Sequence, residues 1–224
     1  MKKKIALLMA CVMAFGIAVG GTLAWLTDNT APVVNTFTDS DINITLTETD
    51  TDSTKEGEQH DYQMIPGYDI EKDPVVTVEA GSEACWLFVK VKESIGDITI
   101  GEDKKVFADY LTYTVGATGV DGKTWAKLDD AGKLEAGETV YYLQVEDLSD
   151  SATGVTYSVL AGDKVSVPGT VTKEMMDAID GDDTGKRPTL TFTAYAVQYK
   201  NSNAGNFSAV DAWKESAGYV APTT

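Results

Sequence analysis

Apolar and polar positions alternate in short runs along most of this chain. Within residues 41–47, Ile42, Ile44 and Leu46 point one way and Asp41, Asn43, Thr45 and Thr47 the other. A period of two with one apolar side is the signature of a half-buried strand in an antiparallel sheet. Cys85, Leu87, Val89 and Val91 share a face opposite Trp86, Phe88, Lys90 and Lys92. The inward sets Leu111, Tyr113, Val115, then Tyr141, Leu143, Val145, then Leu190, Phe192, Ala194, Ala196 repeat the pattern. A strand over residues 75–79 opens after Asp73-Pro74, where proline is tolerated at a strand's first position. Residues 155–160 and 164–167 are two further strands. Turn chemistry at Pro66-Gly67, Ala80-Gly81, residues 119–123 and residues 136–138 separates them. About eight short strands without βαβ alternation predict an all-β, antiparallel β-sandwich.

Two short helices interrupt the strands. Thr170 or Thr172 caps a turn through Glu174, Met175, Met176 and Ile179, with the acidic residues at its positive end. Residues 207–216, with Val210 and Trp213 three apart, form the second, which is expected to seal one end of the core.

The N-terminus breaks the alternation. Lys2, Lys3 and Lys4 precede an uncharged apolar run over residues 5–19, and Gly20, Gly21, Thr22 and Ala24 follow as a small-residue site. This is an export signal, over residues 1–24, with cleavage between Ala24 and Trp25. The uncharged stretch continues to Thr27 and could span a hydrocarbon core of about 30 Å, leaving an uncleaved anchor as the alternative. Gly16, Gly20 and Gly21 weaken such a helix and favour cleavage. Only a short apolar run precedes Cys11, too little for a lipoprotein signal. Residues 25–40 then form an N-terminal arm with little local order. Within it Val33, Val34, Asn35, Thr36, Phe37 and Thr38 have strand propensity but no assured partner. The β-sandwich domain occupies residues 41–220.

Charge narrows the partners. The chain has 35 Asp and Glu against 18 Lys and Arg, a net −17. Loss of the three signal lysines would take this to about −20, which argues against nucleic acid and anionic lipid as partners. The membrane is met only through the signal segment. Cys85 is the one cysteine outside the signal, so no internal disulfide is available after processing and the core must hold the fold. It reads as a small core hydrophobe.

The stretches GGTLAWLTD at 20–28, NTFT at 35–38 and LTET at 46–49 resemble the TasA/camelysin family. The similarity continues through MIPG at 64–67, KDPVVTVEAGSEACWLFVKV at 72–91 and LTFTAYAVQ at 190–198, and so covers most of the chain. The junction is its distinctive part. The resemblance implies secretion from a Gram-positive bacterium, processing by a SipW-type signal peptidase and a jelly-roll sandwich. It further implies assembly into biofilm matrix fibres by donor-strand exchange, with partners that are further copies of the chain or related matrix proteins.

The camelysin name also carries a proposed metallopeptidase activity, which these residues do not support. A zinc peptidase needs paired imidazoles and a glutamate base, as in HExxH. The chain has one histidine, His60, in a polar loop over residues 48–61. No GxSxG elbow exists, a triad built on His60 has no plausible setting, and a dyad would need His60 to meet Cys85 across the fold. No enzyme and no cofactor is expected. For calcium, the weak candidates are Asp180, Asp182 and Asp183, which lack EF-hand spacing and read first as a solvated loop closing the preceding helix.

Two functions fit. One is a structural subunit of an extracellular matrix or cell surface, whose freed arm adds to an open sheet edge of another copy. The other is a monomeric adhesin-like module that binds a glycan or protein through the Trp86 and Phe88 face or the acidic loops.

Overall fold

The computed structural model describes residues 41–48, 62–119, 121–180, 184–201 and 205–222. All of them lie in the unit Ser40–Thr224. Eleven strands follow in order among the described residues: β1 Ile44–Thr47, β2 Asp69–Glu71, β3 Val75–Val78, β4 Cys85–Ser94, β5 Ile98–Ile100, β6 Asp103–Lys105, β7 Ala126–Lys127, β8 Glu138–Val145, β9 Val155–Ser158, β10 Lys164–Ser166 and β11 Thr189–Gln198. Three α-helices accompany them, α1 Phe107–Tyr110, α2 Lys173–Ile179 and α3 Ala209–Glu215, with a single 3-10 turn at Thr184–Lys186. None of these is long and apolar enough to cross a membrane. The fold is all-β and its strand pairs are antiparallel.

Two sheets carry the core. One has the order β11-β4-β8-β7 and the other β1-β3-β9, while β10-β2 and β5-β6 form separate pairs. β4 is the central element because it pairs along its length with both β11 and β8 and carries four apolar inner side chains in alternation. Cys85, Leu87, Val89 and Val91 are fully buried against Val76 and Val78 of β3 and Tyr157 of β9. Each large aliphatic side chain buried this way contributes roughly 1.5–3 kcal/mol. Register keeps like with like: Leu87 lies opposite Leu143 and Cys85 opposite Val145 on β8. On the other side β11 runs along all of β4, with Phe192 opposite Val91 and Ala196 opposite Leu87.

The chain passes from one sheet to the other between β3 and β4. Gly81, at φ 85°, makes the bend, and Ser82 is the buried polar residue within it. Its hydroxyl accepts the Asn43 N–H at 3.2 Å and its carbonyl accepts the Leu148 N–H at 2.8 Å, so the crossing is satisfied. A second cluster fills one end, where Phe107, Tyr110, Val165, Val167, Met175 and Ile179 meet.

Three expectations need correction. Leu111, Tyr113 and Val115 do face inward, but they do not lie on a continuous strand. Thr112 bridges Ser166 while Val115 bridges Leu160, so no single neighbour extends the ladder. A third helix, α1, was not anticipated. It is one turn, fixed by burial of Phe107 and Tyr110 and by the Asp109 carboxylate accepting the Val106 N–H at 2.8 Å. Finally, α3 does not seal an end. It covers the outer face of the β11-β4-β8-β7 sheet, where Trp213 packs on Phe88 and Tyr195. The cap of α2 is Thr172, whose hydroxyl accepts the Met175 N–H at 3.2 Å.

Candidate functional site

The signal junction Ala24 and Trp25 and the arm residues Val33, Val34, Asn35, Thr36, Phe37 and Thr38 lie outside the described residues, as do His60, Asp182 and Asp183. Asp180 is described. It ends α2, exposed, with its N–H donating to the Met176 carbonyl at 2.9 Å. Among the described residues no group of three or more His, Cys, Asp or Glu side chains is placed to hold a metal ion.

What the described residues do present is a pair of sheet edges. Among them β1 has one strand neighbour, β3, and β11 has one, β4. These two edge strands lie on the same side of the core, one in each sheet, and approach within 8 Å Cα to Cα without pairing. Their inner faces are only half-buried. Ile44 and Leu46 on β1 and Leu190, Phe192, Ala194 and Ala196 on β11 pack partly against the core. Residues 41–43 lead straight into β1. An edge strand offers alternate N–H and C=O groups to an incoming extended segment, and half-buried inner side chains offer it apolar contacts.

The other proposed platform is occupied by the protein itself. Phe88 is fully buried beneath Trp213, with ring centroids 5.2 Å apart. Trp86 is half-buried between Tyr142 at 5.7 Å and Tyr199 at 5.8 Å. Its indole N–H donates to the Phe207 carbonyl at 2.9 Å. Phe88 is therefore closed to stacking on a sugar, and Trp86 is half-covered by its neighbours. Sequence alternation assigned these residues to an outer face correctly but missed the layer over them. Its signals were Val140 and Phe88, apolar at solvent-side positions, and Leu128, Ala131 and Trp213 that cover them.

Ionisable groups in the core are held neutral. Burial pushes the Cys85 thiol up to about 12, which removes it as a nucleophile near neutral pH. Tyr113 donates to Glu93 at 2.8 Å and Tyr157 to Asp121 at 2.9 Å. Burial first, and the carboxylate partner second, raise both phenols. These pairs brace loops against the core rather than poise a proton. Comparison with family models, curated proteins and solved structures returned no match.

Proposed function

We propose that the chain is a secreted structural subunit of an extracellular matrix or cell-surface fibre, assembling when the N-terminal arm of one copy adds as a strand to another. The observation that carries this reading is the paired open edges of β1 and β11, one in each sheet. An arm over residues 25–40 ends in sequence just before β1 and could reach this side of a neighbouring copy. Val33, Val34 and Phe37 would supply apolar contacts against Ile44, Leu46, Phe192 and Ala194, and the arm backbone would complete the edge ladder. Full burial of each such side chain contributes roughly 1.5–3 kcal/mol.

Export gives the step its timing. While the arm is continuous with the signal it is tethered at the membrane, and cleavage between Ala24 and Trp25 by a SipW-type peptidase frees it outside the cell. The jelly-roll path and the membership suggested by the TasA/camelysin resemblance belong to this proposal. So do the homopolymeric or matrix-protein partners. The acidic surface supports extracellular solubility of each subunit before assembly.

Deletion of residues 25–38 tests the reading. Secreted wild-type chain is expected to form fibres under electron microscopy, and the deletion variant to remain a folded monomer by sizing and circular dichroism. Fibres that persist without the arm would reject the mechanism.

A further inference from the structure

Lys72 sits where the two open edges meet. It follows β2 and precedes β3, yet its ammonium reaches both sheets. Nζ donates to Oε1 and Oε2 of Glu48 at 2.8 Å each, immediately after the end of β1. The same nitrogen stands 5.6 Å from the ring centroid of Phe192, on the inner side of β11, and 5.3 Å from that of Tyr62. The side chains of Lys72 and Glu48 are 11% and 15% exposed, unlike the more open surface pairs such as Lys173 with Asp177. A cation held by a two-oxygen carboxylate contact and two ring faces in a largely dry site is a directional tie.

We infer that the Lys72 and Glu48 pair is a latch that holds the seam between β1 and β11 shut in the single subunit. The occupant that would part the seam is an extended segment of a second copy, so the consequence for assembly rests on the donor-strand reading; the latch itself does not. Two strands that face each other within 8 Å leave no room for a third between them, since neighbouring strands stand about 4.8 Å apart on each side. A segment entering there must first separate the edges. The ammonium ties Glu48, just past the end of β1, to Phe192 within β11, so releasing it loosens a polar contact that spans the seam. Val33 and Phe37, as apolar side chains, have no charge to offer Glu48 in exchange. The latch therefore opposes entry and keeps subunits from pairing prematurely.

The test uses hydrogen exchange by mass spectrometry on the chain as recovered after export, comparing wild type with Lys72→Met, Glu48→Gln, the double variant and Lys72→Arg. Methionine keeps the apolar stem over the rings and removes the charge. Amides of β1 are expected to exchange about tenfold faster in both single variants and in the double variant, with β4 unchanged and with Lys72→Arg close to wild type. Fibre growth followed by light scattering should begin sooner in the same three variants. Uniform acceleration across β1 and β4, or wild-type protection restored in the double variant, would show an ordinary stabilising ion pair and overturn the latch. Seam opening without earlier fibre growth would overturn its role in restraint. Failure of the wild type to form any fibre would reject the donor-strand reading while the exchange pattern still decides the latch.

Discussion

Trp213 stands over Phe88 with ring centroids 5.2 Å apart and donates its indole N–H to the Ala131 carbonyl at 2.9 Å. One side chain thus joins α3, the middle of β4 and the segment before β8 into a layer outside the main sheet. Trp213 is fully buried although it comes from a short helix near the end of the described chain. Replacing it with alanine should cost about 3–5 kcal/mol, the range for large aromatic deletions from a core. Trp213→Phe should cost less but leave the Ala131 carbonyl without its donor. Urea unfolding of both variants checks the order, and equal stability of wild type and Trp213→Ala would show that the layer does not contribute.

Gly137 marks a second point where the fold admits one residue type. It turns the chain into β8 at φ 80°, and a Cβ there would lie 2.2 Å from the Glu93 carbonyl oxygen. That carbonyl lies beside the turn because the Glu93 N–H donates to the Gly137 carbonyl at 2.9 Å. Gly137→Ala should lose on the order of 1–3 kcal/mol from backbone strain alone, with more from the displaced β4 end. Gly122, also at positive φ, has open space around its Cβ position and should tolerate the same change better. Thermal unfolding of the two variants measures the difference.

Much of this architecture was written in the alternation. The inner set of β4 and the apolar positions of β1, β8 and β11 all lie where period two placed them, because burial on one face selects apolar residues at every second position. Residues 111–115 were misleading since inward pointing does not require a ladder; Thr112 and Val115 each find a different partner. The Phe88 side was misjudged for a related reason: a central strand covered on both faces carries apolar residues at both parities, and only Val140 and Trp213 betrayed the second layer. The seam between β1 and β11 was not legible at all, since nothing local in Lys72, Glu48 and Phe192 marks residues so distant in sequence as neighbours.

Cys85 should be chemically silent in the native protein. Burial raises its thiol to about 12, and it is packed between Val145 and Gln198 on the neighbouring strands. A thiol reagent at pH 8 should label Cys85 only after denaturant is added, and Cys85→Val should fold with little loss. Rapid labelling of Cys85 in the folded chain would contradict its place in the core.

The paired carboxylates give an acid dependence. Hydrogen bonds from Lys164 and then Ser166 hold the Asp69 carboxyl below its usual range, and Lys92 does the same for Glu135. A folded-state value lowered in this way stabilises above the ordinary carboxylate range and is lost as pH falls through the lowered value. The stability gap between wild type and Asp69→Asn should therefore be present at neutral pH, begin to shrink below about pH 4 and close only as pH falls through the lowered value. At the other extreme, the raised phenols of Tyr113 and Tyr157 stabilise fully below about pH 10 and lose that contribution as pH climbs through their raised values. The phenolate absorbance lost in Tyr113→Phe and Tyr157→Phe should be the part that appears together with unfolding, and Tyr157→Phe should flatten that alkaline limb.

Strand addition by residues 33–38 of an exported chain is the central proposal. A cryo-electron microscopy structure of the material recovered after export, combined with N-terminal sequencing, addresses this directly. It should show chains beginning at or beside Trp25 and residues 33–38 of one copy running as a strand along β1 or β11 of the next. Single particles whose residues 33–38 are paired within their own domain, at high concentration and across pH, would contradict it.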